Sequence, residues 1–155
     1  MAVSIRSATP DDAATVLELL HQLAAFEGGC VTAQVQDLAH ALAQGRLYAL
    51  LAEQDGKAVG LLTLLPSFSS WRGQECAVIH DLFVSPNQRG CGIGQALVRA
   101  AMDMAPEKGW TRLDVNVLDW NHQAQGFYRR FGLAPLTDWR IWRIEGEALE
   151  KPRHL

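Results

Sequence analysis

Cysteine is scarce in this chain. Cys30, Cys76 and Cys91 are odd in number, far apart and never in C-x-x-C spacing. Neither a disulfide framework nor a zinc site is signalled. The five histidines are equally scattered, so no metal is expected. Long apolar runs are missing too: none approaches the ~20 residues that span a bilayer, and no basic stretch leads into an apolar run with a small-residue cleavage site. A reducing, cytoplasmic setting without a membrane partner is the expectation. Positive charge is also in short supply. A net charge of -3 gives no broad basic field for nucleic acid, and the short clusters Arg129-Arg130 and Lys151 to Arg153 read as solvated surface. Low-complexity linkers and internal repeats are absent. With 155 residues the chain suits one domain, 1–155, with a core of its own.

What is present is a regular alternation of elements. Val3 to Arg6 alternates as a half-buried strand. Thr9-Pro10-Asp11-Asp12 combines a capping threonine, a proline at the first helical position and an acidic residue at capping-box spacing. A helix with Val16, Leu17, Leu20, Leu23 and Ala24 on its apolar face follows, stopped by Gly28-Gly29. A second helix is predicted from Thr32 towards Gly45. Leu47 to Ala52, Asp55-Gly56 and Ala58 to Leu65 read as strand, hairpin turn and strand, apolar almost throughout as in strands buried on both faces. A Ser-rich loop with Phe68 and Trp71 leads to a fourth strand, Ala77 to Val84. A glycine-rich turn opens a third helix with Ile93, Leu97, Ala100, Ala101 and Met104 on one face. Leu113, Val115 and Val117 alternate as a fifth strand, Asn121 to Phe131 forms a fourth helix, and Trp139 to Ile144 a last strand. The order predicts an α/β domain: a mixed, mostly antiparallel sheet with helices on its faces, strands four and five being parallel across the third helix.

The turn Asn87 to Gln95 carries the most information. Its glycines permit positive φ and close approach of a ligand, and the helix it opens offers free N–H groups with a partial positive charge. Such a turn suits a phosphate or pyrophosphate, with Arg89 adding a full charge. A Walker loop is excluded because Gln95-Ala96 stands where Lys and Ser/Thr are needed. A dinucleotide fingerprint meets Leu97 or Gln95 where a small residue is required. Arg-x-x-Gly-x-Gly is met in full by Arg89, Gly92 and Gly94. A tight turn with no ligand remains the alternative on this segment alone. Farther on, Tyr128 lies seven residues past Asn121, so the two share one face of a helix. A phenol there can donate a proton or hydrogen bond, or only pack with Phe127.

Taken together, these segments resemble the GNAT superfamily of acetyltransferases over Val3 to Ile144, most specifically over Asp81 to Leu133. Within it the chain looks most like the diamine (spermidine/spermine) and thialysine acetyltransferase group. The narrower match rests on Ala24-Ala25-Phe26-Glu27, Trp71-Arg72-Gly73, Asp81-Leu82-Phe83-Val84, Trp120-Asn121 and Trp139-Arg140.

The resemblance implies acetyl-coenzyme A as cosubstrate, with a splay between strands four and five to receive it. Leu82, Phe83 and Val84 would pair with its pantetheine arm. The amides of Gly90, Cys91, Gly92, Ile93, Gly94 and Gln95 would hold its pyrophosphate, and Asn121 and Ala124 would line the opposite wall. Tyr128 would face the thioester sulfur. Phe26, Glu27, Trp71, His80 and Asp138 would meet the amine substrate. Asp81, Glu27 and His80 all stand as bases, beside the alternatives of a structural carboxylate, a solvated loop carboxylate and a packed histidine. His80 departs from polyamine-specific relatives, which carry glutamate there, so a small primary amine is favoured over spermine. A homodimer is implied. A non-catalytic coenzyme A-binding module, and transfer to a protein terminus or drug-like amine, remain the rival readings.

Overall fold

The computed structural model describes residues 2–151. Pro152 and Arg153 of the C-terminal basic cluster lie outside them, as does His154. The chain divides into two compact units, Met1–Asn116 and Val117–Leu155.

The first unit holds β1 (Ser4–Ser7), a 3-10 turn (Pro10–Asp12), α1 (Ala13–Glu27), α2 (Val35–Ala43), β2 (Tyr48–Gln54), β3 (Lys57–Ser69), β4 (Gln74–Val84), a second 3-10 turn (Pro86–Gln88), α3 (Ile93–Lys108) and β5 (Leu113–Val115). The five strands form one sheet in chain order, antiparallel except for the parallel β4–β5 pair. The α/β class and its mixed sheet are therefore as the sequence predicts.

The helix-start signals at Thr9 act as read. The Asp12 carboxylate accepts the Thr9 N–H at 2.7 Å and a paired bond from Arg6 at 2.8 Å on each nitrogen, while Arg6 Nε donates to Glu53 at 2.6 Å. These bonds, Arg6 first, hold the Asp12 carboxyl far below the usual carboxylate range. Gly28 closes α1 in the left-handed conformation, at φ 75°.

Strand alternation divides the core between two faces. Ala49, Leu51, Leu61 and Phe83 pack with Val16, Leu19 and Leu23 of α1. Facing the other way, Gly60 lies against Ile93 and Leu97 of α3. A Cβ at Gly60 would come within 3.1 Å of Leu97 Cδ1 and 3.2 Å of Ile93 Cγ2. The missing side chain lets the N-terminal turn of α3 settle on the sheet, which fixes where the glycine turn lies.

Three boundaries differ from the sequence expectation. The Ser-rich loop is mostly strand: β3 and β4 stay in register out to Ser69↔Gln74, because each added residue of an established ladder gains backbone hydrogen bonds while serines tolerate the exposed edge. The second helix begins at Val35, with the Gln34 N–H bonded to Asp37 at 2.8 Å. The fifth strand ends at Val115, leaving Val117 outside it.

The second unit contains α4 (His122–Arg130) and the short α5 (Glu147–Glu150). The predicted last strand, Trp139 to Ile144, does not form among the described residues. Trp139, Ile141, Trp142 and Ile144 are instead exposed, Trp142 at 92%. A strand needs a neighbour for its ladder, and this segment has none within its own unit.

Candidate active site

The chemistry-bearing residues of the first unit converge where β4 passes the end of α1. Between β3 and β4, Leu64 pairs with Ile79 and Thr63 with Asp81, so His80 is an extra residue in the ladder, a β-bulge. A bulge twists its strand and re-aims side chains. Neighbours on a regular strand point to opposite faces, yet here His80 Nδ1 stands 3.1 Å from Asp81 Oδ2. The same carboxylate oxygen accepts the hydroxyl of buried Thr63 at 2.5 Å.

Glu27, the last residue of α1, joins this group electrostatically. Its carboxyl is held above the ordinary range, first by shielding from solvent and next by the Asp81 charge, with His80 opposing. The His80 imidazole is raised above its usual value, foremost by its hydrogen bond to Asp81 and further by the Asp81 and Glu27 charges, against the opposing effect of burial. Two carboxylates and an imidazole thus form one net-negative corner, suited to attract an ammonium and accept its proton. The sequence pointed to Glu27, His80 and Asp81 but missed Thr63. The signal available was a lone hydroxyl in the apolar run Leu61 to Leu65.

Beyond the bulge β4 loses its parallel neighbour. Pairing with β5 covers only Ala77 to Ile79, so the backbone of His80 to Val84 has no β5 partner. Leu82 and Val84 are half-buried there, and Phe83 anchors the stretch in the core. An extended amide-bearing ligand fits such an unpaired edge.

The turn that follows has the geometry an anion needs. Gly90 and Gly92 adopt φ of 82° and 80°, with open space where their side chains would be. Helix α3 makes its first backbone bond from Ala96 N–H to Gly92 O, at 3.0 Å. The Ile93, Gly94 and Gln95 amides therefore precede the helical ladder. Ile93 is buried and pins the turn, while Cys91 is exposed. A coenzyme A pyrophosphate fits these donors. Arg89 is tied more closely than the sequence suggested: Nε donates to Val84 O at 3.0 Å, and the guanidinium lies 5.1 Å from the Phe26 ring centre and 5.8 Å from that of Phe83. It braces the turn against the end of α1.

Trp71 is not part of the corner. It is 97% exposed at the β3–β4 turn, and His80 lies six residue steps along the strand from Gln74, about 20 Å. In the second unit, Asn121 caps α4 by accepting the Ala124 N–H on Oδ1 at 3.1 Å. Tyr128 is buried with its ring edge-on to Phe127, centroids 5.2 Å apart. Asp138 is exposed. Among the described residues no group of His, Cys, Asp and Glu is arranged to hold a metal ion, and no helix is long and apolar enough to cross a membrane.

Comparison with known proteins identifies the family. The chain is 30% identical to a thialysine N-epsilon-acetyltransferase of Bos taurus, over 96% of each chain. An integron cassette protein of V. cholerae superposes with a TM-score of 0.79 at 26% identity, over 97% of this chain and 96% of that one. A ribosomal-protein-alanine N-acetyltransferase of Brucella melitensis follows with a TM-score of 0.74 at 25% identity, over 94% of this chain and all of the other. The Acetyltransferase (GNAT) family model matches residues 17–133, most of the chain. By that match the protein belongs to the GNAT family of acetyltransferases.

Proposed function

We propose that this acetyltransferase moves the acetyl group of acetyl-coenzyme A to the terminal primary amine of a small molecule, with a thialysine-like amino acid or short diamine as acceptor. The observation that carries the reading is the Glu27–His80–Asp81 corner beside the unpaired stretch of β4. Acetyl-coenzyme A supplies an activated thioester, and the protein's own task is to ready the amine. An alkyl ammonium of pKa ~10.4 is almost wholly protonated at pH 7, and removing its proton costs about 4.6 kcal/mol. The corner can attract the cation and accept that proton, with Asp81 or His80 as base.

The near-full-length likeness to a thialysine acetyltransferase supports the acceptor class. His80 argues in the same direction. Neutral imidazole offers no full negative charge to a polycation, and protonated imidazole repels one. Glu27 and Asp81 still suffice for a single cationic centre. On this reading Leu82 to Val84 and the Gly90 to Gln95 turn hold the cofactor, and Asn121 and Ala124 are cofactor-binding residues as well. Tyr128 stabilises the departing thiolate. Residues 1–155 act as one acetyltransferase domain, which the family match running through both units supports. The enzyme works in the cytoplasm as a homodimer, in keeping with the exposed apolar residues from Leu136 to Ile144. Transfer to a protein terminus is the second reading, favoured by the ribosomal-protein-alanine relative.

The test compares kcat/KM for spermine, a short diamine, thialysine and an alanine-terminated peptide, in wild type and His80→Glu. Thialysine or the diamine should lead in wild type, and the substitution should raise spermine relative to both. A wild-type preference for spermine that ignores the substitution, or for the peptide, would contradict the acceptor assignment.

A further inference from the structure

The bulge at His80 gives Asp81 two partners at once, and one of them is a buried residue with no role in the reading above. Thr63 stands opposite Asp81 in the β3–β4 register, on the sheet face that α1 covers. Its hydroxyl hydrogen goes to Asp81 Oδ2, the oxygen that His80 Nδ1 also faces. An ionised carboxylate only accepts hydrogen bonds, so the contact is bonding when the imidazole carries its proton on Nδ1. The Nε2 lone pair is then the basic site of His80.

We propose that Thr63 is a positioning residue whose hydroxyl anchors Asp81, so that Asp81 fixes the proton of His80 on Nδ1 and leaves Nε2 as the base that deprotonates the acceptor ammonium. The proposal rests on the acetyl-transfer reading and chooses between its two bases. Asp81 has one oxygen committed to both Thr63 and His80, whereas among the described residues no hydrogen bond to His80 Nε2 is found. An ordinary imidazole also lies about 2.6 pK units nearer an ammonium than an ordinary carboxylate does, which favours proton transfer by roughly 400-fold. In the step itself, Nε2 takes one proton from the ammonium and the freed amine nitrogen forms a bond to the acetyl carbonyl carbon. The carbon–sulfur bond breaks, and the thiolate leaves and takes up the second nitrogen proton. The imidazolium returns its proton to solvent. The charged and titratable groups around His80 are Asp81 on its own strand and Glu27 at the end of α1. Both raise its pKa, so the rate should climb with pH along a limb above the ordinary ~6.5 of histidine.

The experiment joins nitrogen-15 NMR of the His80 ring with pH profiles of kcat/KM, in wild type, T63V, T63S, D81N and H80Q. Neutral wild-type His80 should carry its proton on Nδ1. H80Q should lower kcat about a hundredfold or more. T63V and D81N should both move this rising limb down towards ~6.5 and lower kcat about tenfold, leaving KM for acetyl-coenzyme A unchanged, and T63S should restore the wild-type profile. A proton on Nε2 in wild type, an unmoved limb in T63V, or an H80Q enzyme of full turnover would each overturn the proposal. The ring measurement stands even if T63V does not fold. Absence of thiol release with every amine would instead strike at the acetyl-transfer reading and leave the tautomer result to decide the role of Thr63.

Discussion

Tyr128 raises the question of how far a phenol can act as an acid. An ordinary phenol near ~10 is a weaker acid than a thiol near ~8.5, a gap worth about 2 kcal/mol against full transfer to a thiolate. A hydrogen bond that strengthens as charge develops on sulfur avoids that cost. Tyr128→Phe should therefore lower turnover roughly ten- to a thousandfold, with cofactor affinity nearly intact. Wild-type turnover in the purified variant would reduce the ring to packing against Phe127. Residue types were the most legible part of the site. Glu27, His80, Asp81 and Tyr128 stand out because ionisable side chains carry chemistry on their face. Thr63 could not be read the same way. Its role depends on the register that sets it across from Asp81 and on a bulge that turns His80 towards the same carboxylate, and pairing between strands leaves no local trace in composition.

At the scale of elements, the glycine turn and the helix it opens were legible because positive-φ positions demand glycine and amphipathic spacing demands a helix. Gly92 sits at φ 80°, a conformation that strains any branched side chain. Gly92→Val should cost about 1–3 kcal/mol of local strain or force the amides out of place. Either outcome should weaken coenzyme A binding roughly five- to a hundredfold. Calorimetry giving wild-type affinity in a folded variant would remove the turn from the cofactor site. The segment Trp139 to Ile144 shows where reading by element stops. Its Trp-Arg-Ile-Trp-Arg-Ile pattern has strand propensity, but propensity says only that a pleated, half-buried surface suits these residues. It names no neighbour, and in this structure the segment stays outside the sheet.

For the whole molecule, those unpaired residues bear on assembly. Leu136, Trp139, Ile141, Trp142 and Ile144 are exposed within nine residues of chain, and exposed apolar side chains gathered into one patch are the kind of surface a partner covers. If a second copy covers them, the purified protein should sediment as a dimer and a Trp139→Glu/Trp142→Glu variant as a monomer. A wild-type monomer at micromolar concentration would rule the dimer out. Family membership follows from the match at residues 17–133, whereas the donor and acceptor are our proposal, argued from the glycine turn and the acidic corner. The most direct test of that reading is thiol release by the purified protein on mixing with acetyl-coenzyme A, with and without thialysine or a short diamine. Release should be slow alone, accelerate saturably with the amine, and match the acetylated amine formed mole for mole. Tight coenzyme A binding with no amine-dependent release would contradict it and leave a binding module in its place.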